Sequence, residues 1–147
     1  MYRTILLAYD GTAPGREALR QGADIARQCA AQVILLAVIA PQSGALIGEA
    51  AAVSDALFAQ ARAEVERVLD DGLRGLRDLG LEARTCIRHG NAAEAIGRAA
   101  REFGADLIVV GHRDQSTLAR WWGGSTGSSL LAHTPCSILI AVVGAAS

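Results

Sequence analysis

The chain has 147 residues, 51% of them apolar but only 4% aromatic, so its core must be built from Ala, Val, Ile and Leu. Fourteen basic side chains face fifteen acidic ones without a basic run, which excludes the usual nucleic-acid surface. No uninterrupted apolar stretch approaches the roughly 18 residues of a membrane helix, and the length supports one domain, expected over residues 1–147, but not two.

Thr4 to Tyr9 is a short apolar run bounded by Asp10-Gly11-Thr12, which predicts a buried parallel strand with Ile5 to Tyr9 fully covered. Pro14 suits a first helical turn with Thr12 or Ala13 at the cap. Small apolar residues at Ala18, Gly22, Ile25, Ala26 and Cys29 give that helix a face able to lie close on a sheet. Val33 to Ile39 is a second buried strand, and Pro41 to Gly48 is expected to be a mobile loop. The longest helix is expected from Ala50 to Leu79, with an apolar stripe at Val53, Leu57, Ala61, Val65, Val68, Leu69, Leu73 and Leu76. Gly72 and Gly75 weaken its last turns and Gly80 ends it. Leu81 to Arg88 mixes polar and apolar residues, as an edge strand does. Asn91 and Glu94 make a capping-box-like start to a helix burying Ile96, Ala99, Ala100 and Phe103. A fourth strand follows at Leu107 to Val110, then a short helix from about Gly124 to His133 and a final strand, Ser137 to Val143.

Strict alternation of strand and helix implies an α/β fold, an open five-stranded parallel sheet with helices on both faces. In such sheets ligands lie beyond the carboxyl ends of the strands, at the topological switch point. Two segments end strands there with unusual chemistry: Asp10-Gly-Thr and the stretch from Val109 to Thr126. In the second, a buried strand stops at Gly111 and a new helix opens at Gly124-Ser125-Thr126. The free N–H groups of a helix start, with its partial positive charge and two hydroxyls beside it, make a phosphate-type turn. An ordinary strand-to-helix connection is the alternative. Asp10 could accept hydrogen bonds from ribose hydroxyls or hold a metal beside phosphates; the alternative is that it closes an Asx turn.

All fourteen basic residues are Arg, so mechanisms built on a P-loop, Schiff-base or receiver-type lysine are excluded. Cys29, Cys86 and Cys136 are widely spaced, without a zinc or disulfide pattern, and are expected to be buried structural thiols. His112 and His133 lack partners in sequence, His89 fits a strand end, and the Trp121-Trp122 pair is expected to pack on the domain or meet a partner subunit. No nucleophile–base pair stands out, so no catalytic residue is assigned and an enzymatic role is not favoured. The N-terminal segment lacks a signal-peptide pattern, so a cytoplasmic location is expected.

Leu6-Leu-Ala-Tyr-Asp10-Gly-Thr, Gly90-Asn-Ala-Ala-Glu, Gly111 with Gly124-Ser-Thr, and the ending His133-Thr-Pro-Cys-Ser-Ile together resemble the universal stress protein family. The resemblance spans nearly the whole chain. It implies the adenine nucleotide alpha hydrolase-like arrangement, strand order 3-2-1-4-5, and a small nucleotide-binding regulatory protein with ATP or another adenine nucleotide as ligand. It places Asp10 on the nucleotide, Val38 at the adenine edge, Val110 and Gly111 beside the ribose, and Gly124, Ser125 and Thr126 on phosphate. One position departs: Asp114 stands where the family's Gly-x2-Gly-x9-Gly-Ser/Thr motif has its second Gly.

A carboxylate about 4 Å from a phosphate charge costs roughly 4 kcal/mol at an effective dielectric near 20. That removes about three powers of ten in affinity unless Mg²⁺, Arg113 or Arg120 compensates. Asp tolerates a left-handed backbone, so the loop shape can survive while phosphate affinity falls, which suits AMP or a cyclic nucleotide. The alternative reading is a family member that has lost nucleotide and acts as a homodimeric interaction module. Ser137 to Val143 is apolar and unguarded by charge or proline, which predicts a homodimer paired along this strand. The resemblance implies the same interface.

Overall fold

The computed structural model describes residues 1–39, 50–112 and 134–142. The expected loop at 41–48, Asp114, the Trp pair and the helix at 124–133 lie outside the described residues, as do the side chains of 50–55 and His112. The elements are β1 (Thr4–Ala8), α1 (Ala13–Cys29), β2 (Gln32–Ile39), α2 (Ala50–Asp78), β3 (Ala83–His89), α3 (Ala92–Phe103), β4 (Leu107–His112) and β5 (Ser137–Val142). The five strands form one parallel sheet in the order β3-β2-β1-β4-β5. The edge position expected for the third strand is therefore found, and β5 forms the other edge.

Strand residues alternate between two apolar layers, as the period-two geometry of a strand requires. Ile5, Leu7, Val33, Leu35, Leu107 and Val109 pack under α1 and α2. Leu6, Ile34, Leu36, Ile108 and Val110 pack on α3. Ile5, Leu6 and Leu7 are at most 1% exposed, and burying each such side chain is worth about 1.5–3 kcal/mol. Ala8 departs from the expected full burial because it faces the cleft described below.

The caps follow sequence chemistry. Thr12 caps α1 by accepting from the Gly15 amide at 3.2 Å, with Pro14 in the first turn. Asn91 caps α3 by accepting from the Glu94 amide, also at 3.2 Å, and Gly104 ends it in the left-handed region. The small-residue face of α1 lies tight on the sheet: a Cβ on Gly22 would collide with Leu7 Cδ2. The stripe of α2 packs at Leu69 and Leu76, whereas Leu57 is 43% exposed. At 29 residues the helix is about 43 Å long, against about 26 Å for the eight residues of β2, so its first turns have no sheet beneath them.

β4 runs two residues further than expected, through Gly111 and His112. Only Cys86 is buried as a structural thiol should be; Cys29 and Cys136 are half-buried, and all three are free. Burial pushes the Cys86 and Cys136 thiols up from their ordinary value, which suits packing and opposes nucleophilic use.

Candidate functional site

β1 lies between β2 and β4, and the helices that follow β1 and β3 pack on opposite faces of the sheet. The chain therefore diverges at the carboxyl end of β1, which opens a crevice there. The structure has a cleft of about 410 Å³ at this point. Its floor comes from strand ends: Ala8 of β1 with Tyr9 and Asp10 just after it, Leu36 to Val38 of β2, and Val110 and Gly111 of β4. Gly15 of α1 and Ala92 and Ile96 of α3 contribute helix starts, while Glu64, Val65 and Val68 of α2 form a side wall. Four residues singled out in the sequence, Asp10, Val38, Val110 and Gly111, thus meet in one cavity. Asp114, Gly124, Ser125 and Thr126 fall outside the described residues.

Asp10 closes the turn that was the alternative to its ligand-facing role. Its Oδ1 accepts from the Thr12 amide at 3.0 Å and from the Thr12 hydroxyl at 2.5 Å. That hydroxyl in turn accepts from the Gly15 amide, so one oxygen of Asp10 is tied into the start of α1. The side chain remains exposed, and its Oδ2 has no partner among the described residues. A structural and a ligand-facing role therefore coexist on one carboxylate. Gly111 is glycine for a reason the sequence did not disclose. It does not adopt a positive φ; instead, a Cβ there would collide with the Pro14 carbonyl. The end of β4 rests directly on the first turn of α1.

Tyr9 and α2 were missed in the sequence. The Tyr9 ring is 4% exposed, and its hydroxyl donates to Asp71 Oδ2 of α2 at 2.8 Å. Burial raises its pKa, and the hydrogen bond to Asp71 raises it further, so the phenol stays protonated and available as a donor. A buried tyrosine needs a polar partner, a signal present in the sequence, but it does not say which of many acidic residues supplies one. Among the described residues no group of three or more His, Cys, Asp or Glu side chains could hold a metal, and none of their helices is long and apolar enough to cross a membrane.

The chain matches the model of the universal stress protein family over residues 1–141. A universal stress protein of Thermus aquaticus is 31% identical, the alignment covering 95% of this chain and 98% of that protein. The fold recurs in solved structures of lower identity. A universal stress protein of Arabidopsis thaliana with AMP bound superposes with a TM-score of 0.70 at 15% identity, covering 97% of this chain and 93% of the other. One from Archaeoglobus fulgidus in complex with dAMP gives 0.66 at 18% identity, covering 95% and 97%.

Proposed function

This chain belongs to the universal stress protein family, and on that premise we propose that it is a small cytoplasmic regulatory protein that binds an adenine nucleotide in the cleft between Asp10 and Gly111. The observation that carries the reading is the cleft itself: an apolar cavity at the switch point of the sheet, with an exposed carboxylate oxygen at the end of β1. Val38 lies at the carboxyl end of β2, where its backbone can meet the edge of a base, and Val110 and Gly111 at the end of β4 are assigned to lie beside the sugar. Asp10 Oδ2 is suited to accept from ribose hydroxyls. Gly124, Ser125 and Thr126 complete the proposal as the phosphate turn, with ATP, AMP or a cyclic nucleotide as ligand. Related proteins with AMP or dAMP bound support the ligand class.

Calorimetric titration with ATP, ADP and AMP, each with Mg²⁺, tests the reading, alongside mass spectrometry of small molecules released from the purified, denatured protein. Binding is expected; no binding at millimolar concentration would sink it. Asp114 favours a second reading, an interaction module without nucleotide, and the position of β5 at the edge of the described sheet is consistent with that role. Asp114→Gly separates the two readings. If charge is what Asp114 contributes, the variant gains affinity for ATP by up to about three powers of ten and much less for adenosine. Equal gains for both ligands would refute the electrostatic account.

A further inference from the structure

We infer that Glu64 of α2 is a second, ligand-selecting carboxylate of the cleft, and that it biases the site toward an adenine nucleoside carrying little phosphate charge. The inference rests on the nucleotide-site reading above. Among the described residues lining the cleft only two are charged, Asp10 and Glu64, and both are acidic. The remaining side chains of the lining are apolar apart from the Tyr9 hydroxyl, which donates to Asp71, a residue outside the lining. The nearby guanidinium of α1, Arg16, lines a separate groove with Asp71 and Arg74.

Helix starts attract anions, and α1 and α3 both begin at the cleft. Each already has its own partner, however. Asp10 and Thr12 tie up the start of α1, and Asn91 caps α3, whose first turn also carries Glu94. Glu64 differs from these groups. It is exposed, and among the described residues it has no hydrogen bond or ion pair, whereas Glu66 two positions on pairs with Arg62 at 3.3 Å over β3. Its position one turn before Val68, whose methyl groups lie 3.4 Å from where a Cβ on Gly11 would sit, places a negative charge unpaired among the described residues beside the strand ends that line the cleft. Such a charge leaves hydroxyl and amine donors welcome and opposes each added phosphate. Asp114 in the motif has the same sign.

Calorimetry with adenosine, AMP and ATP, in the presence of a chelator and at low and high ionic strength, tests this on the wild type, Glu64→Gln and Glu66→Gln. Among the phosphate-bearing ligands, wild-type protein is expected to favour AMP over ATP. Glu64→Gln should raise the ATP-to-adenosine affinity ratio about three-fold, the scale of one exposed charge interaction, and the AMP ratio by less. Both gains should shrink as salt screens the charge. Glu66→Gln removes the same charge from a neighbouring position facing β3 and should leave the ratios where they were. ATP binding more tightly than AMP to the wild type, as counter-charge from Arg113 or Arg120 would produce, overturns the inference. So does an equal shift in both variants. Failure of all three ligands to bind ends the nucleotide-site reading itself, so the two failures are distinguishable.

Discussion

At Gly111 the end of β4 and the first turn of α1 touch backbone to backbone, since a Cβ there would meet the Pro14 carbonyl and approach the Gly15 amide to 2.9 Å. Neither side can yield as a flexible side chain could, so Gly111→Ala is expected to cost about 1–3 kcal/mol, an overpacking penalty. Urea unfolding would show it as a lower midpoint at unchanged slope; an unchanged midpoint would mean that the contact relaxes freely. Asp106 performs a different task at the opposite end of the sheet. Its carboxylate accepts from the Arg3 amide at 2.9 Å and the Thr4 amide at 3.1 Å, fixing the entry into β1. Burial works against its charge, but these amide bonds outweigh it and hold the carboxyl below the ordinary value of 3.8. A carboxylate with a depressed pKa contributes stability that is present above its unfolded pKa and lost as pH falls through the folded one. Asp106→Asn should therefore destabilise the protein near neutrality by about 1–2 kcal/mol, and the gap to wild type should close below about pH 4. Thermal melts across that range check it, and a gap independent of pH would show that charge is not the cause.

The element that most shapes the cleft is α2, and two of its glycines separate what the sequence shows from what it conceals. In the sequence, Gly72 and Gly75 look alike: helix-weakening residues before a terminator. In the structure a Cβ on Gly72 would lie 2.9 Å from both Leu35 Cδ2 and the Tyr9 ring, whereas on Gly75 it would meet only Leu19 Cδ2, at 3.6 Å. Replacing Gly by Ala inside a helix gains up to about 1 kcal/mol in propensity. Gly75→Ala should therefore stabilise by nearly that amount. Gly72→Ala should destabilise, because an overpacking cost of about 1–3 kcal/mol exceeds the gain. Denaturant unfolding of the two variants gives opposite signs if this is right, and the same sign if propensity alone governs. Propensity, periodicity and capping are local, and they made the strands, Thr12, Asn91 and the edge character of β3 legible. The close approach of Tyr9 to α2, the backbone contact of Gly111 and the entry of Glu64 into the cleft depend on residues dozens of positions apart. For the same reason the exposure of Leu57 was illegible: period shows a stripe but not where the sheet beneath it ends.

In the whole molecule, β5 is the edge strand opposite β3. β4 satisfies one side of this strand, and among the described residues no strand pairs with the other side, whose sequence is apolar without proline or charge. Ile138, Leu139 and Ile140 are each only partly covered, and Val142 is 50% exposed. We propose that a second copy pairs there: two identical strands related by a two-fold axis run antiparallel, and the closed symmetry stops assembly at two. The choice of probe follows from burial. Ala141 is fully buried against the α1 and α2 layer, so a lysine there would unfold the protomer and say nothing about association. Val142 is exposed, and Val142→Lys would place a charge on the pairing strand of each copy while leaving the protomer core intact. Sedimentation equilibrium should show a dimer for the wild type and a shift toward monomer for the variant, greater at low salt because screening relieves the repulsion. The far-UV helix signal should not change. A wild-type monomer would remove the proposal, and a dimer indifferent to Val142→Lys at every salt concentration would mean that the copies meet through another surface.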